Sequence, residues 1–126
     1  RGINQVVIPP SIREIGGAAF LECDDIESVY IEDLGAWCGT TFKLYSSNPL
    51  YNSARLYLNG EAVRELTVGT EIGRVSKWSF VRCKGLQEVC FEGYVSIGES
   101  AFEDCESLEK IVISDNVTRI NNKTIA

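Results

Sequence analysis

The chain has no histidine, and that one absence removes a large part of enzymology. Without imidazole there is no His-based general acid–base step, no Ser-His-Asp or Cys-His nucleophile, and no His-containing zinc site. Methionine is missing as well, basic residues never form a run, and no apolar stretch approaches the roughly 20 residues of a membrane helix. The 12 Lys and Arg are outnumbered by 18 Asp and Glu, for a formal net charge of −6. With no basic patch to displace counterions from phosphates, nucleic acid is not expected as a partner. Phosphate-cradling loops, Gly-x-Ser-x-Gly elbows and calcium-loop spacings are absent too. No catalytic residue, metal or cofactor is therefore expected, and no membrane insertion. The chain starts at Arg1 and both ends fall inside a repeated pattern, so it reads as a piece of something longer. The lack of a leader then says nothing about secretion.

What the chain does have is periodicity. A Phe-x-x-Cys step occurs at Phe20 to Cys23, Phe80 to Cys83 and Phe102 to Cys105, and the last two cysteines stand 22 residues apart. Apolar triplets recur in register with it: Ile3/Val6/Ile8, Ile26/Val29/Ile31, Val63/Leu66/Val68, Leu86/Val89/Phe91 and Leu108/Ile111/Ile113. A second apolar pair follows at Ile12/Ile15, Ile72/Val75, Tyr94/Ile97 and Val117/Ile120. Alternation within Glu109–Ile113 predicts a short strand with one inward side, each strand pairing in parallel with the next. No unit buries its own apolar side, so stacking of neighbours stabilises all of them. The expectation is one domain over 1–126: a right-handed solenoid of about 4.5 repeats of 22–23 residues, mostly short parallel strands with short helices or turns.

One unit is longer, and residues at about 32–63 are read as an elaborated repeat. Glu32 to Cys38 predicts a short helix packed by Leu34 and Trp37, and Asn48-Pro49 a helix start with Asn as cap. Asn59-Gly60 predicts the turn of a hairpin over Leu56 to Val63.

The segments Ile8-Pro-Pro-Ser-Ile-Arg-Glu-Ile-Gly-Gly-Ala-Ala-Phe-Leu-Glu-Cys23 and Ile97-Gly-Glu-Ser-Ala-Phe-Glu-Asp-Cys-Glu-Ser-Leu108 resemble BspA-type leucine-rich repeats. Ile31 to Cys38, Asn48 to Tyr51 and Leu56 to Gly60 look like an expanded repeat of the gut-bacterial kind. The resemblance spans essentially the whole chain. It implies a leucine-rich repeat solenoid in a secreted or cell-surface bacterial protein, adhesive in some members. Phe91-Glu92, Gly73-Arg74 and Trp78 depart from the usual pattern. Fold resemblance does not fix a ligand.

Candidate binding residues follow from which strand positions face out. These are Gln5/Val7/Pro9, Ser28/Tyr30/Glu32, Glu65/Thr67/Gly69, Glu88/Cys90/Glu92 and Lys110/Val112/Ser114. Ser28, Tyr30, Glu32, Glu65, Thr67, Glu88, Cys90 and Glu92 form the candidate site, a shallow acidic face for a basic protein segment or a polyhydroxylated glycan. The competing reading is a solvated face that keeps a parallel sheet soluble. A weaker candidate is the aromatic group Trp37, Phe42, Tyr45, Tyr51 and Tyr57, either a ligand platform or a small core anchoring the elaborated repeat. Cys23, Cys83 and Cys105 read as a buried column of small apolar fillers, too spread out for a tetrahedral zinc site. A Cys83–Cys105 disulfide is conceivable at that spacing, and Cys90 should point outward. The Asn116-Val-Thr118 and Asn122-Lys-Thr124 sequons carry no meaning for a bacterial source. Repeat ends also allow end-to-end self-association. The function expected is non-enzymatic interaction, with a structural spacer as the alternative.

Overall fold

The computed structural model describes residues 2–17, 19–20, 22–114 and, as backbone, 119–120. Its elements follow the apolar periodicity. Strands β1 (Gln5–Val7), β2 (Glu14–Ile15) and β3 (Ser28–Ile31) precede helix α1 (Leu34–Gly39) and strand β4 (Thr41–Phe42). Two 3-10 turns, Tyr45–Ser47 and Pro49–Asn52, lead into β5 (Arg55–Leu58) and β6 (Glu61–Ala62). Then come β7 (Glu65–Val68), β8 (Arg74–Val75), β9 (Glu88–Phe91), β10 (Ser96–Ile97), β11 (Lys110–Ile113) and β12 (Arg119–Ile120). The content is mostly strand with little helix, as a leucine-rich repeat requires.

Paired long strands stand 22 to 27 residues apart in sequence, as the register of Gln5 with Ser28, Ser28 with Arg55, Glu65 with Glu88 and Glu88 with Lys110 shows. β1, β3 and β5 pair in parallel, as do β7, β9 and β11. The shorter strands form their own parallel ladders, β2 with β4 and β8 with β10 and β12. Parallel register aligns like with like, so Val6, Val29 and Leu56 share one inward row, and Leu66, Val89 and Ile111 another. These rows join one apolar cluster that runs from Ile15 to Cys105. Phe80 stacks on Phe102 at 5.2 Å, and Phe91 meets Phe102 edge-on at 6.0 Å. Each fully buried side chain of this size contributes roughly 1.5–3 kcal/mol of transfer free energy, which offsets the ordering cost of short strands. At Gly98 a Cβ would lie 2.6 Å from the Lys77 backbone nitrogen, so neighbouring coils touch backbone to backbone there.

The elaborated segment matches its sequence signals. Asp33 caps α1 by accepting from the Ala36 amide at 3.0 Å, and Trp37 is buried with its Nε1 donating to the Ser79 carbonyl at 2.9 Å. Asn48 caps the following turn with Pro49 at its start, but that turn is 3-10 rather than α. β5 and β6 form the expected hairpin around Asn59-Gly60, both at positive φ. The sequence missed that β5 is also a full parallel partner of β3, and β4 of β2. The segment therefore supplies a coil of its own.

A second difference lies at Tyr94, expected inward. It is 72% exposed, and Val95 at 3% takes the place. The inward position falls four residues past the last member of each apolar triplet: Ile12 after Ile8, Ile72 after Val68, Val95 after Phe91. The connection between Phe91 and Ile97 is one residue shorter than that between Val68 and Val75. Counting back from Ile97 therefore lands on the wrong residue. Ile3, also expected inward, is exposed at the first rung, where no preceding coil covers it among the described residues. The Val117/Ile120 pair's side chains and both sequons lie outside the described residues.

Candidate interaction surface

Along each long strand the even and odd residues part company: Val29 and Ile31 are buried, while Ser28 and Tyr30 look outward. Parallel register then builds outward rows from single positions. Val7, Tyr30 and Tyr57 occupy one row, and the two tyrosines stack with ring centroids 4.8 Å apart and planes 18° apart. Val7, at 71% exposed, extends the row toward β1. Tyr30 came from the candidate strand face and Tyr57 from the candidate aromatic group, and the register brings the two together.

The neighbouring row is Gln5, Ser28 and Arg55, so a cation stands where sequence reading saw only acids and neutral groups. In the other ladder Glu65, Glu88 and Lys110 share a row, and Thr67, Cys90 and Val112 the next. Glu32 and Glu92 are exposed just past their strands. Glu65 beside Glu88 is a like-charge neighbour pair, which favours a cationic occupant, while Lys110 on the far side of Glu88 tempers the field. The face is thus acidic at four positions and interrupted by two cations.

The remaining aromatics divide by burial. Trp37, at 2% exposed, and Phe42 pack edge-on at 5.3 Å inside the core, so neither belongs to an accessible platform. Their place is fixed by α1 and β4, whose inward sides they occupy. Tyr51 is half-buried, its hydroxyl donating to the Phe20 carbonyl at 3.0 Å, and Tyr45 meets it edge-on at 6.2 Å with half its surface exposed. Partial burial, and then the Asp24 carboxylate, push the Tyr51 phenol above its ordinary value. This pair fastens the elaborated segment to the preceding coil.

All five cysteines are free. Cys83 and Cys105 are buried, Cys23 is half-buried, and the Cys105 thiol donates to the Phe80 carbonyl at 3.0 Å. Burial pushes the Cys38 thiol up to about 12 and that of Cys105 up to about 11, and raises Cys83 as well. Thiols so shifted are neutral fillers at neutral pH, not nucleophiles. The column is interrupted, because the elaborated coil enters β5 through Ser53 and the fully buried Ala54 instead of a Phe-x-x-Cys step. Cys90 is half-buried on the outward side between buried Val89 and Phe91, as its position predicts. Among the described residues no three Cys, Asp or Glu are grouped to hold a metal ion, and no helix is long and apolar enough to cross a membrane.

Positive φ at Ser53, Trp78 and Ser100 was not legible in the sequence, nor was it at one recurring position of the repeat. Glu22, Arg82 and Asp104, each just before the cysteine of its step, all have positive φ. None is glycine, so composition gave no signal, although Phe-x-x-Cys itself marked the turn.

No curated protein and no solved structure matches the chain. The model of the BspA type leucine rich repeat region matches residues 2–126 in 6 copies. The short parallel strands, the inward rows and the family match agree, and the chain belongs to the BspA-type leucine-rich repeat family.

Proposed function

We propose that the chain is a non-enzymatic interaction module of a secreted or cell-surface bacterial protein, adhesive in role, holding a protein or glycan on its outward strand faces. The observation that carries this reading is the Tyr30–Tyr57 stack. A spacer has no use for paired aromatic rings and an exposed Val7 on its outer face, whereas such rings are rigid contact area for a partner. Exposed Glu32, Glu65 and Glu92, with half-buried Glu88 beside them, supply steering and selectivity at the rim. Membership of a repeat family with a surface habit supports the location.

The same reading takes residues 1–126 as a single right-handed solenoid, with the elaborated repeat at about 32–63 as one of its coils. One apolar cluster and unbroken parallel register within each ladder support it. Counting that coil as an elaboration leaves about 4.5 repeats, while the family model counts 6. Strand β1 has no further strand beyond it among the described residues, so end-to-end self-association belongs to the same reading.

The test is an array of extracellular-matrix proteins and glycans probed at low and high salt. A saturable hit lost in a Tyr30→Ser/Tyr57→Ser double variant, or on charge reversal at Glu32, Glu65, Glu88 and Glu92, supports the module. Binding that survives both sets of changes would remove the outward face as the site. No hit at all favours the spacer, whose role depends on length alone.

A further inference from the structure

At the entry to β3 and β5 the surface opens into a cleft of about 490 Å³, with Tyr57 on one wall. Its polar rim carries Asp24, Glu27, Asn52, Arg55 and Lys84. We infer that this cleft, together with the Tyr30–Tyr57 stack beside it, is a binding site for a neutral, polyhydroxylated oligosaccharide. The inference rests on the interaction reading above and names the ligand class.

Three features select that class. The first is charge balance. Carboxylates of Asp24, Asp25 and Glu27 line the same cleft as the cations of Arg55 and Lys84, so its net charge is small and it attracts neither acidic nor basic polymers strongly. A sugar, whose adjacent hydroxyls both donate and accept, is matched by a rim holding acceptors and donors side by side. The second is availability. Among the described residues the Arg55 guanidinium, the Glu27 carboxylate and the Lys84 ammonium enter no ion pair, the ion pairs being Lys43–Glu14 and Arg82–Asp104. Asn52 is exposed on the same rim, its Nδ2 donating to Asp24 Oδ1 at 3.2 Å. The third is the platform. A half-buried tyrosine ring adjoining a polar cleft offers a flat apolar surface for the C–H face of a pyranose while the hydroxyl edge meets the rim.

Backbone geometry places the two cations of the rim. Gly85, at φ +82°, lets the Arg55 side chain lie across it, since a Cβ there would strike the guanidinium. Lys84 is anchored by its amide donating to the Ala54 carbonyl at 3.0 Å. Arg55 and Lys84 thus reach the same cleft from different coils, and only the stacked arrangement assembles it. A volume of this size, open to solvent, falls within the roughly 300–1,000 Å³ range of small-ligand sites and suits a short stretch of a longer sugar chain.

The experiment is titration of the whole chain with three neutral tetrasaccharides, an α-glucan, a β-glucan and a β-mannan. A lysine-rich and an aspartate-rich peptide serve as comparison ligands, all at low and high salt. The expected result is saturable binding of at least one tetrasaccharide that is insensitive to salt and weakened about tenfold by Arg55→Gln and by Tyr57→Ser. Asn52→Ala, at an exposed position, guards against misfolding of the Arg55 variant and should weaken binding several-fold. Failure of all three sugars at millimolar concentration overturns the inference, as does sugar binding unchanged in these variants or binding of a peptide alone. In those cases an array hit that still depends on Tyr30 keeps the broader interaction reading standing, whereas an empty array removes both.

Discussion

Glu22, at φ +66°, shows what the Phe-x-x-Cys step demands of its third residue. A side chain in the left-handed region costs roughly 1–2 kcal/mol, of which glycine's larger chain entropy gives back about 0.5–1. Glu22 is exposed, so Glu22→Gly should raise stability by roughly 0.5–1 kcal/mol, seen as a higher urea midpoint at unchanged slope. Asp104→Gly should gain less, since Asp tolerates this conformation and its carboxylate lies 3.5 Å from Arg82 Nε. Equal destabilisation by both changes would show that the turn does not carry the strain assigned to it. Most inward residues of the strands were legible in sequence because alternation leaves few choices, but Ile113 of β11, expected inward, is 47% exposed. The left-handed turns were not legible, because Glu22, Arg82 and Asp104 share a conformation without sharing a side chain. Tyr94 and Val95 show the same limit, for hydropathy alone cannot say which of two adjacent apolar residues a connection one residue shorter turns inward.

At the scale of elements, the elaborated segment shows how a coil without the repeat's own signature joins the stack. Asn48 does much of this. Its Nδ2 donates to the carbonyls of Trp78 and Ser79 at 2.8 and 2.9 Å, while its Oδ1 accepts from the Leu50 amide at 2.8 Å. One buried side chain therefore caps a 3-10 turn and ties it to the next coil. Asn48→Ala should cost about 2–4 kcal/mol, combining a lost cap with a Trp78 carbonyl deprived of its side-chain donor, while the Ser79 carbonyl keeps Trp37 Nε1. Asn48→Asp should cost more, because it keeps the cap but turns a carboxylate oxygen against two carbonyls. Thermal unfolding of the two variants checks the order, and an Asp variant more stable than the Ala variant would contradict the assignment. The capping role was readable from Asn48-Pro49. The tie across 30 residues was not, since it depends on where the neighbouring coil places Trp78. The parallel pairing of β5 with β3 was hidden for a related reason: with no cysteine step before it, Leu56 looked like one arm of a hairpin only. Once that pairing exists, Tyr57 must face the same way as Tyr30, and Arg55 must follow Ser28. The candidate surface is thus half legible, its acids and Lys110 given by alternation and its ring stack and Arg55 given by register.

For the molecule as a whole, stability rests on a core that includes three buried thiols from different coils, and this makes it sensitive to alkali. In the unfolded chain each thiol loses its proton near its ordinary value of 9.0. In the folded protein burial raises Cys105 to about 11, Cys38 to about 12 and Cys83 in the same direction. Between pH 9 and 11 the unfolded state therefore binds fewer protons than the folded state, and stability falls as pH rises. Below pH 9 both states are protonated, and the contribution is constant. Each thiol that ionises only on unfolding removes about 1.4 kcal/mol per pH unit, so three remove roughly 4. Against a total of about 5–15 kcal/mol for an ordinary domain, that is a large loss over the two pH units above 9. Urea midpoints measured from pH 7 to 11 should be flat up to about 9 and then drop steeply. Cys83→Ala lowers stability at pH 7 by leaving a small void, and it should also shrink the alkaline slope by about one thiol's share. Because the coils are stacked, each contacting its neighbours, the drop should appear as one transition rather than as fraying from an end. Parallel slopes in the wild type and in Cys83→Ala would mean that this thiol ionises inside the folded protein, and the column of cysteines would then be open to water rather than part of the core.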